Sequence, residues 1–169
     1  MVIATKSIFE TMADEPDILQ LFKKMNRALK RLNLRKHYMA LQVVKIKDYF
    51  LEVCAAGMPP LLLYRAATKR VEPITIKAMP LGSVAEFPYQ KQEMALAPGD
   101  TILLMSDGFA ELFSQQAEMF DDDRVKTAFT GAAQLSPKQI IEHLVCAGEA
   151  WAKGNPHNDD MTFVVLKVR

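Results

Sequence analysis

The run Pro98-Gly99-Asp100-Thr101-Ile102-Leu103-Leu104-Met105-Ser106-Asp107-Gly108 places a turn, a strand and a carboxylate in consecutive positions. Pro-Gly-Asp is strong turn chemistry. Thr101 to Met105 is then continuously apolar, which predicts a strand covered on both faces. Asp107 follows at the strand's C-terminal end, where a rigid element holds it within reach of solvent. Asp-Gly is also a common turn, so the dipeptide alone defines no site.

Upstream, Met39 to Ile46 and Tyr49 to Ala56 read as an antiparallel hairpin joined at Lys47-Asp48. Gly57-Met58-Pro59-Pro60 breaks the second strand, Leu61 to Tyr64 resumes, and Val71 to Ile76 is a further strand. Pro80-Leu81-Gly82 is a turn, and Gln90 to Leu96 alternates weakly. Val2 to Met12 is a weak helix candidate. An amphipathic helix follows, with Ile18, Leu21, Phe22, Met25, Leu29 and Leu32 on one face. Lys23, Lys24, Arg27, Lys30 and Arg31 make its other faces basic, either a solvated surface or a place for an acidic partner.

Downstream, Ser136-Pro137 with Gln139 predicts a capped helix start. Ile140, Ile141, Leu144, Val145, Gly148 and Trp151 form its buried stripe, and Gly154-Asn155-Pro156 ends it. Met161 to Val168 is a last apolar strand.

The 169 residues are 50% hydrophobic and 24% charged, which suits one domain, 1–169, with a real core. Lys+Arg 21 against Asp+Glu 20 gives a formal net charge of +1. No bulk charge directs the chain to nucleic acid or to an anionic membrane. No apolar run reaches the ~20 residues of a membrane helix, so a cytoplasmic location is expected, although a parent chain could be anchored. Cys54 and Cys146 lie in apolar stretches and read as buried free thiols. They lack CxxC spacing, and His37, His143 and His157 are scattered, so a zinc site has little support. His143 and Cys146 share one side of a helix, which core packing explains equally well.

A second acidic site, Asp159-Asp160, precedes the last strand in Asn158-Asp159-Asp160-Met161-Thr162. Carboxylates at strand ends are the oxygen donors that Mg²⁺ or Mn²⁺ takes. Glu111 lies close enough to Asp107 to assist. Asp121-Asp122-Asp123 reads as an acidic helix N-terminus. No third acidic site has equal placement, whereas a two-metal hydrolase needs a bridging carboxylate. No phosphate-binding GxxxxGK[ST] loop, GxSxG elbow, HExxH or EF-hand loop is present.

Taken in order, these motifs resemble the C-terminal two-thirds of a bacterial type-2C (PPM) serine/threonine phosphatase domain of the SpoIIE/RsbU kind. The likeness rests on Ala55-Ala56-Gly57-Met58-Pro59-Pro60-Leu61-Leu62-Leu63, Pro80-Leu81-Gly82, the run from Pro98 through Glu111, and Asp159-Asp160-Met161-Thr162-Phe163-Val164-Val165-Leu166. It implies an α+β fold, an α/β/β/α sandwich of two antiparallel sheets with flanking helices, N-terminally truncated here. It implies a site where carboxylates hold two Mn²⁺ or Mg²⁺ ions and a metal-activated water attacks a phosphoserine or phosphothreonine. Carried across, Asp107 and Asp159 are metal ligands, Glu111 helps hold a weaker third metal, and Asp160 shapes the loop.

The chain also departs from the family pattern. An N-terminal Gly-Asp motif and an Asp-Gly motif, whose aspartate bridges both metals, are not in this sequence. Met58 stands where other type-2C enzymes carry a metal-binding aspartate, and thioether sulfur suits hard cations poorly. The expectation is therefore a fragment with weak or absent metal binding and little phosphatase activity, its sheet edges open to self-association. The implied partner is a phosphorylated protein, such as an anti-anti-sigma-factor-like protein. The alternatives are a non-catalytic phosphatase-like module that binds a partner, through the basic helix for example, and a small metal-binding protein that has diverged from the family.

Overall fold

The computed structural model describes residues 1–33, 37–156 and 159–169. His157 and Asn158, cited above among the histidines and before Asp159, lie outside the described residues. In chain order the elements are α1 (Val2–Thr11), α2 (Ile18–Arg31), β1 (Leu41–Lys47), β2 (Phe50–Ala56), β3 (Leu61–Arg65), β4 (Arg70–Ile74), β5 (Lys91–Ala95), β6 (Thr101–Met105), α3 (Asp121–Ala132), α4 (Pro137–Ala152) and β7 (Phe163–Lys167). The described chain divides into two compact units, residues 1–58 with 76–95 and residues 59–75 with 96–169.

The first unit is built on α2. Asp17 caps the helix, its carboxylate accepting a hydrogen bond from the Leu19 amide at 2.8 Å. Ile18, Leu21, Phe22, Met25 and Leu29 recur at helical spacing and are buried in one cluster with Cys54, Ala56, Leu81 and Tyr89. Burying side chains of this size contributes about 1.5–3 kcal/mol each. Leu32 corrects the expected stripe: the helix ends at Arg31, and Leu32 is 49% exposed. Asn26 is also buried on α2; its side chain accepts from the Gly82 amide and donates to the Val84 carbonyl, fixing the Pro80-Leu81-Gly82 turn.

The sheet of this unit runs β1-β2-β5, all antiparallel. The hairpin turns at Asp48-Tyr49, one residue later than the sequence predicts, because Lys47 still pairs with Phe50. Both turn residues have positive φ, 49° and 60°. A two-residue turn of that sign matches the twist of the flanking strands.

The second unit has a four-stranded antiparallel sheet, β4-β3-β6-β7. Leu62, Tyr64, Leu103 and Met105 on one face share a core with Phe129, Ile140 and Leu144 of the helices. Leu61, Leu63 and Ile102 on the other face are buried too, as the unbroken apolar run of β6 predicts. The Ser136–Gln139 capping box starts α4, and a left-handed Lys153 followed by Gly154 (φ 88°) ends it. Ile140, Leu144 and Gly148 are buried as expected, while Ile141, Val145 and Trp151 are half-buried. The last strand, Phe163–Lys167, is shorter than expected at both ends.

The two cysteines part company. Cys54 is buried, and loss of solvation pushes its thiol up to about 12. Cys146 corrects the expectation: it is exposed, because α4 turns Leu144 and Gly148 inward instead.

Candidate active site

Strand β6 ends in a single 3₁₀ turn, Asp107–Phe109, that presents Asp107. Phe109 anchors this turn. It is fully buried, with ring centroids 5.1 Å from Phe120 and 4.8 Å from Phe163. Opposite it, α4 has Gly148, where a Cβ would stand 2.8 Å from both Phe109 and Leu112. The Glu111 amide donates to the Asp107 carbonyl at 3.1 Å, so the two carboxylates follow one another by a turn.

The Asp159-Asp160 loop meets this turn directly. The Ser106 amide donates to the Thr162 carbonyl at 3.1 Å. The Ser106 hydroxyl donates to the Asp160 carbonyl at 3.0 Å and accepts from the Thr162 amide at 2.9 Å. Gly108 permits the close approach, since a Cβ there would lie 2.7 Å from the Asp160 carbonyl oxygen. Asp159 is exposed, and its carboxylate accepts from the Asp160 amide at 2.7 Å. The two acidic motifs singled out by sequence, about fifty residues apart, therefore come together on one end of the sheet.

A cleft of ≈ 500 Å³ opens beside them, lined by Pro59, Pro60, Asp107, Glu111, Met119 and Asp121–Asp123. Asp159 is outside that lining. The three aspartates do begin a helix, as predicted, but their place in the same cleft as Asp107 is new. The Phe120 amide donates to the Leu112 carbonyl at 2.7 Å and the Asp121 amide to the Ala110 carbonyl at 2.9 Å, folding the chain back over the 3₁₀ turn. No periodicity announces such a return; the Met119-Phe120 pair before the aspartates is its only local sign. Asp121 is engaged by Arg124. The carboxylates of Asp107, Glu111, Asp122 and Asp123 have no ion pair or hydrogen-bond donor among the described residues.

Exposed carboxylates facing a common cleft repel one another, and a hard divalent cation would relieve that repulsion. The donors are thus of the right kind for Mn²⁺ or Mg²⁺. Their number falls short: the described residues hold no group of three or more His, Cys, Asp or Glu side chains placed to hold an ion. The side chain of Met58 is a thioether and supplies no oxygen.

The basic face of α2 is largely occupied. Lys24 pairs with Glu15, Arg27 makes a two-pronged contact with Glu86, and Lys30 donates to the Ser83 carbonyl. No helix among the described residues is long and apolar enough to cross a membrane.

Among the described residues, two antiparallel sheets, four helices and a strand-end aspartate at an acidic cleft agree with a phosphatase-like domain of the type-2C (PPM) class and with the α+β composition that the sequence implies. The chain belongs to the stage II sporulation protein E (SpoIIE) family, whose model matches residues 1–169. Among solved structures it is similar to the SiaA PP2C domain of Pseudomonas aeruginosa, with a TM-score of 0.84 and 18% identity, covering 99% of this chain and 67% of that one. It is similar to the SpoIIE phosphatase domain with part of its regulatory domain from Bacillus subtilis, at 0.75 and 23%, covering 97% and 48%. The RsbU and RsbW domains of a Mycobacterium tuberculosis protein match at 0.72 and 21%, covering 97% and 45%. The chain thus spans about two thirds of the first of these and less than half of the other two. No curated protein sequence matches it.

Proposed function

We propose that this chain is part of a metal-dependent protein phosphoserine/phosphothreonine phosphatase of bacterial signalling. The observation that carries the reading is the junction of the Asp107 turn with the Asp159 loop through Ser106 and Gly108. Asp107 and Asp159 would hold Mn²⁺ or Mg²⁺, with Glu111 at the margin. When bound, such ions lower the pKa of a water and neutralise phosphate oxygens. The chain's own part is to fix these carboxylates at a strand end and on an abutting loop. On this reading the substrate is a phosphorylated protein, and an anti-anti-sigma-factor-like protein is the partner that the family resemblance favours. The domain acts in the cytoplasm on this reading.

With fewer than three donors converging among the described residues, the chain as given is expected to turn over little or no substrate. The check is p-nitrophenyl phosphate hydrolysis with Mn²⁺ present, expected to stay at the level of the buffer control. Turnover that depends on Mn²⁺ and disappears in Asp107→Asn would show a complete site and contradict the inactivity.

A further inference from the structure

Beside the acidic cleft lies a smaller hollow of ≈ 210 Å³. Leu62 and Met105, both buried, supply its apolar part together with Pro60 and Pro73. Lys126, Asp122 and Asp123 supply its charged part. Sites for whole small molecules begin at about 300 Å³, so a hollow of this size suits a single side chain.

The hollow is continuous with the cleft. Pro60, Asp122 and Asp123 line both, and Met105 stands just ahead of the turn that presents Asp107. The lining is drawn from β3, β4, β6, the residues next to them and the first turns of α3, all within the second unit.

Lys126 is the group that the fold leaves unused there. The other cation of α3, Arg124, is engaged: it pairs with Asp121 and lies 4.3 Å over the Trp151 ring. Lys126 is half-buried, yet its ammonium has no ion pair or hydrogen bond among the described residues. Asp122 and Asp123 precede it at the spacing where helices commonly form such pairs, and neither pairs with it. A lysine stem beside apolar surface helps to cover it while the head group stays available to an anion.

We propose that the hollow is a specificity subsite for the phosphorylated protein. It takes one apolar side chain close to the phosphorylated residue, and Lys126 pairs with an acidic residue of the same segment. The subsite rests on the phosphatase reading of the cleft. An apolar and an acidic residue two positions apart satisfy it best, because that spacing puts both on one side of an extended segment. Asp122 and Asp123 oppose any other placement of the acid, which fixes the direction of the segment.

Amide NMR of the chain with Mg²⁺ present, during addition of short phosphoserine peptides, tests this. The peptides carry Leu-Ala-Glu either before or after the phosphoserine, and matched controls carry Ala-Ala-Gln. For one of the two placements, shifts at Leu62, Met105 and Lys126 should saturate at a concentration at least about tenfold lower than for its control. Lys126→Glu should remove the preference for Glu over Gln, and Lys126→Arg should keep it; circular dichroism confirms that each variant is folded. Equal affinity for Leu-Ala-Glu and Ala-Ala-Gln in both placements overturns the proposal. So does a preference that Lys126→Glu leaves unchanged. Replacing phosphoserine by serine should remove the shifts at residues 106–111. Shifts there that ignore the phosphate, with selection at the hollow intact, overturn the phosphatase reading and leave the hollow's selection standing.

Discussion

Phe109→Ala is expected to destabilise the second unit by about 3–5 kcal/mol, the range for deleting a buried phenylalanine. The ring is fully buried among Phe120, Phe163, Leu112 and the surface left open by Gly148, and none of these can close the space alone. Phe120 belongs to the return that brings Asp121–Asp123 over the turn, and Phe163 opens β7. The loss should therefore reach the acidic cleft as well as the core. For a chain of this size the melting temperature should fall by on the order of 10 °C. Phe109→Leu keeps most of the volume and should recover more than half of the loss. Thermal unfolding followed by circular dichroism measures both; a shift within error for Phe109→Ala would show that the turn is not anchored by this ring.

Asp100→Ala should cost about as much, roughly 3–5 kcal/mol, by a different route. Asp100 is only 1% exposed. Its carboxylate accepts from the Ala66 amide at 2.9 Å, the Ala97 amide at 3.1 Å and Arg65 Nη1 at 3.1 Å. Its backbone carbonyl accepts from the Val168 amide at 2.9 Å. One residue thus joins the end of β3, the turn into β6 and the end of β7. Alanine leaves the Ala66 and Ala97 amides without their acceptor, while Arg65 keeps Glu72, and the unmet amides account for most of the cost. Arg65→Met should cost less, about 1–2 kcal/mol, since Asp100 keeps both amides. Urea unfolding of the two variants compares them. Equal losses would mean that the ion pair, and not the capped turn, dominates.

Much of the fold was legible because local chemistry and burial agreed. Ser136, Pro137 and Gln139 mark a helix start through hydrogen bonds made within four residues, which a sequence displays in full. Ile102 to Met105 is an unbroken apolar run because both faces of β6 are covered, and the buried Thr101 hydroxyl at its start donates to the Ala133 carbonyl. Asp107 and Asp159 stood out since each adjoins a strand, and the structure joins them through Ser106 and Gly108.

What stayed hidden depends on distant partners or single-residue phase. Cys146 sits in an apolar helix, and only the phase set by Leu144 and Gly148 turns it outward. The hairpin turn moved by one residue because backbone sign at Asp48 and Tyr49, not composition, decides register. Asp100 reads as a turn residue, and its burial follows from three partners, two of them at residues 65 and 66. Asp122 and Asp123 reach the cleft through backbone hydrogen bonds at Ala110 and Leu112 that no side-chain pattern encodes.

The central claim is that the Asp107 turn and the Asp159 loop form one cation-facing site. Amide NMR of the chain during addition of Mn²⁺ tests it most directly, because the ion broadens signals near where it binds. The account predicts that amides of residues 106–111 and 159–162 broaden together, early in the titration and with weak affinity, and that Asp107→Asn removes both effects at once. Broadening confined to one of the two segments, or unchanged in Asp107→Asn, would contradict it.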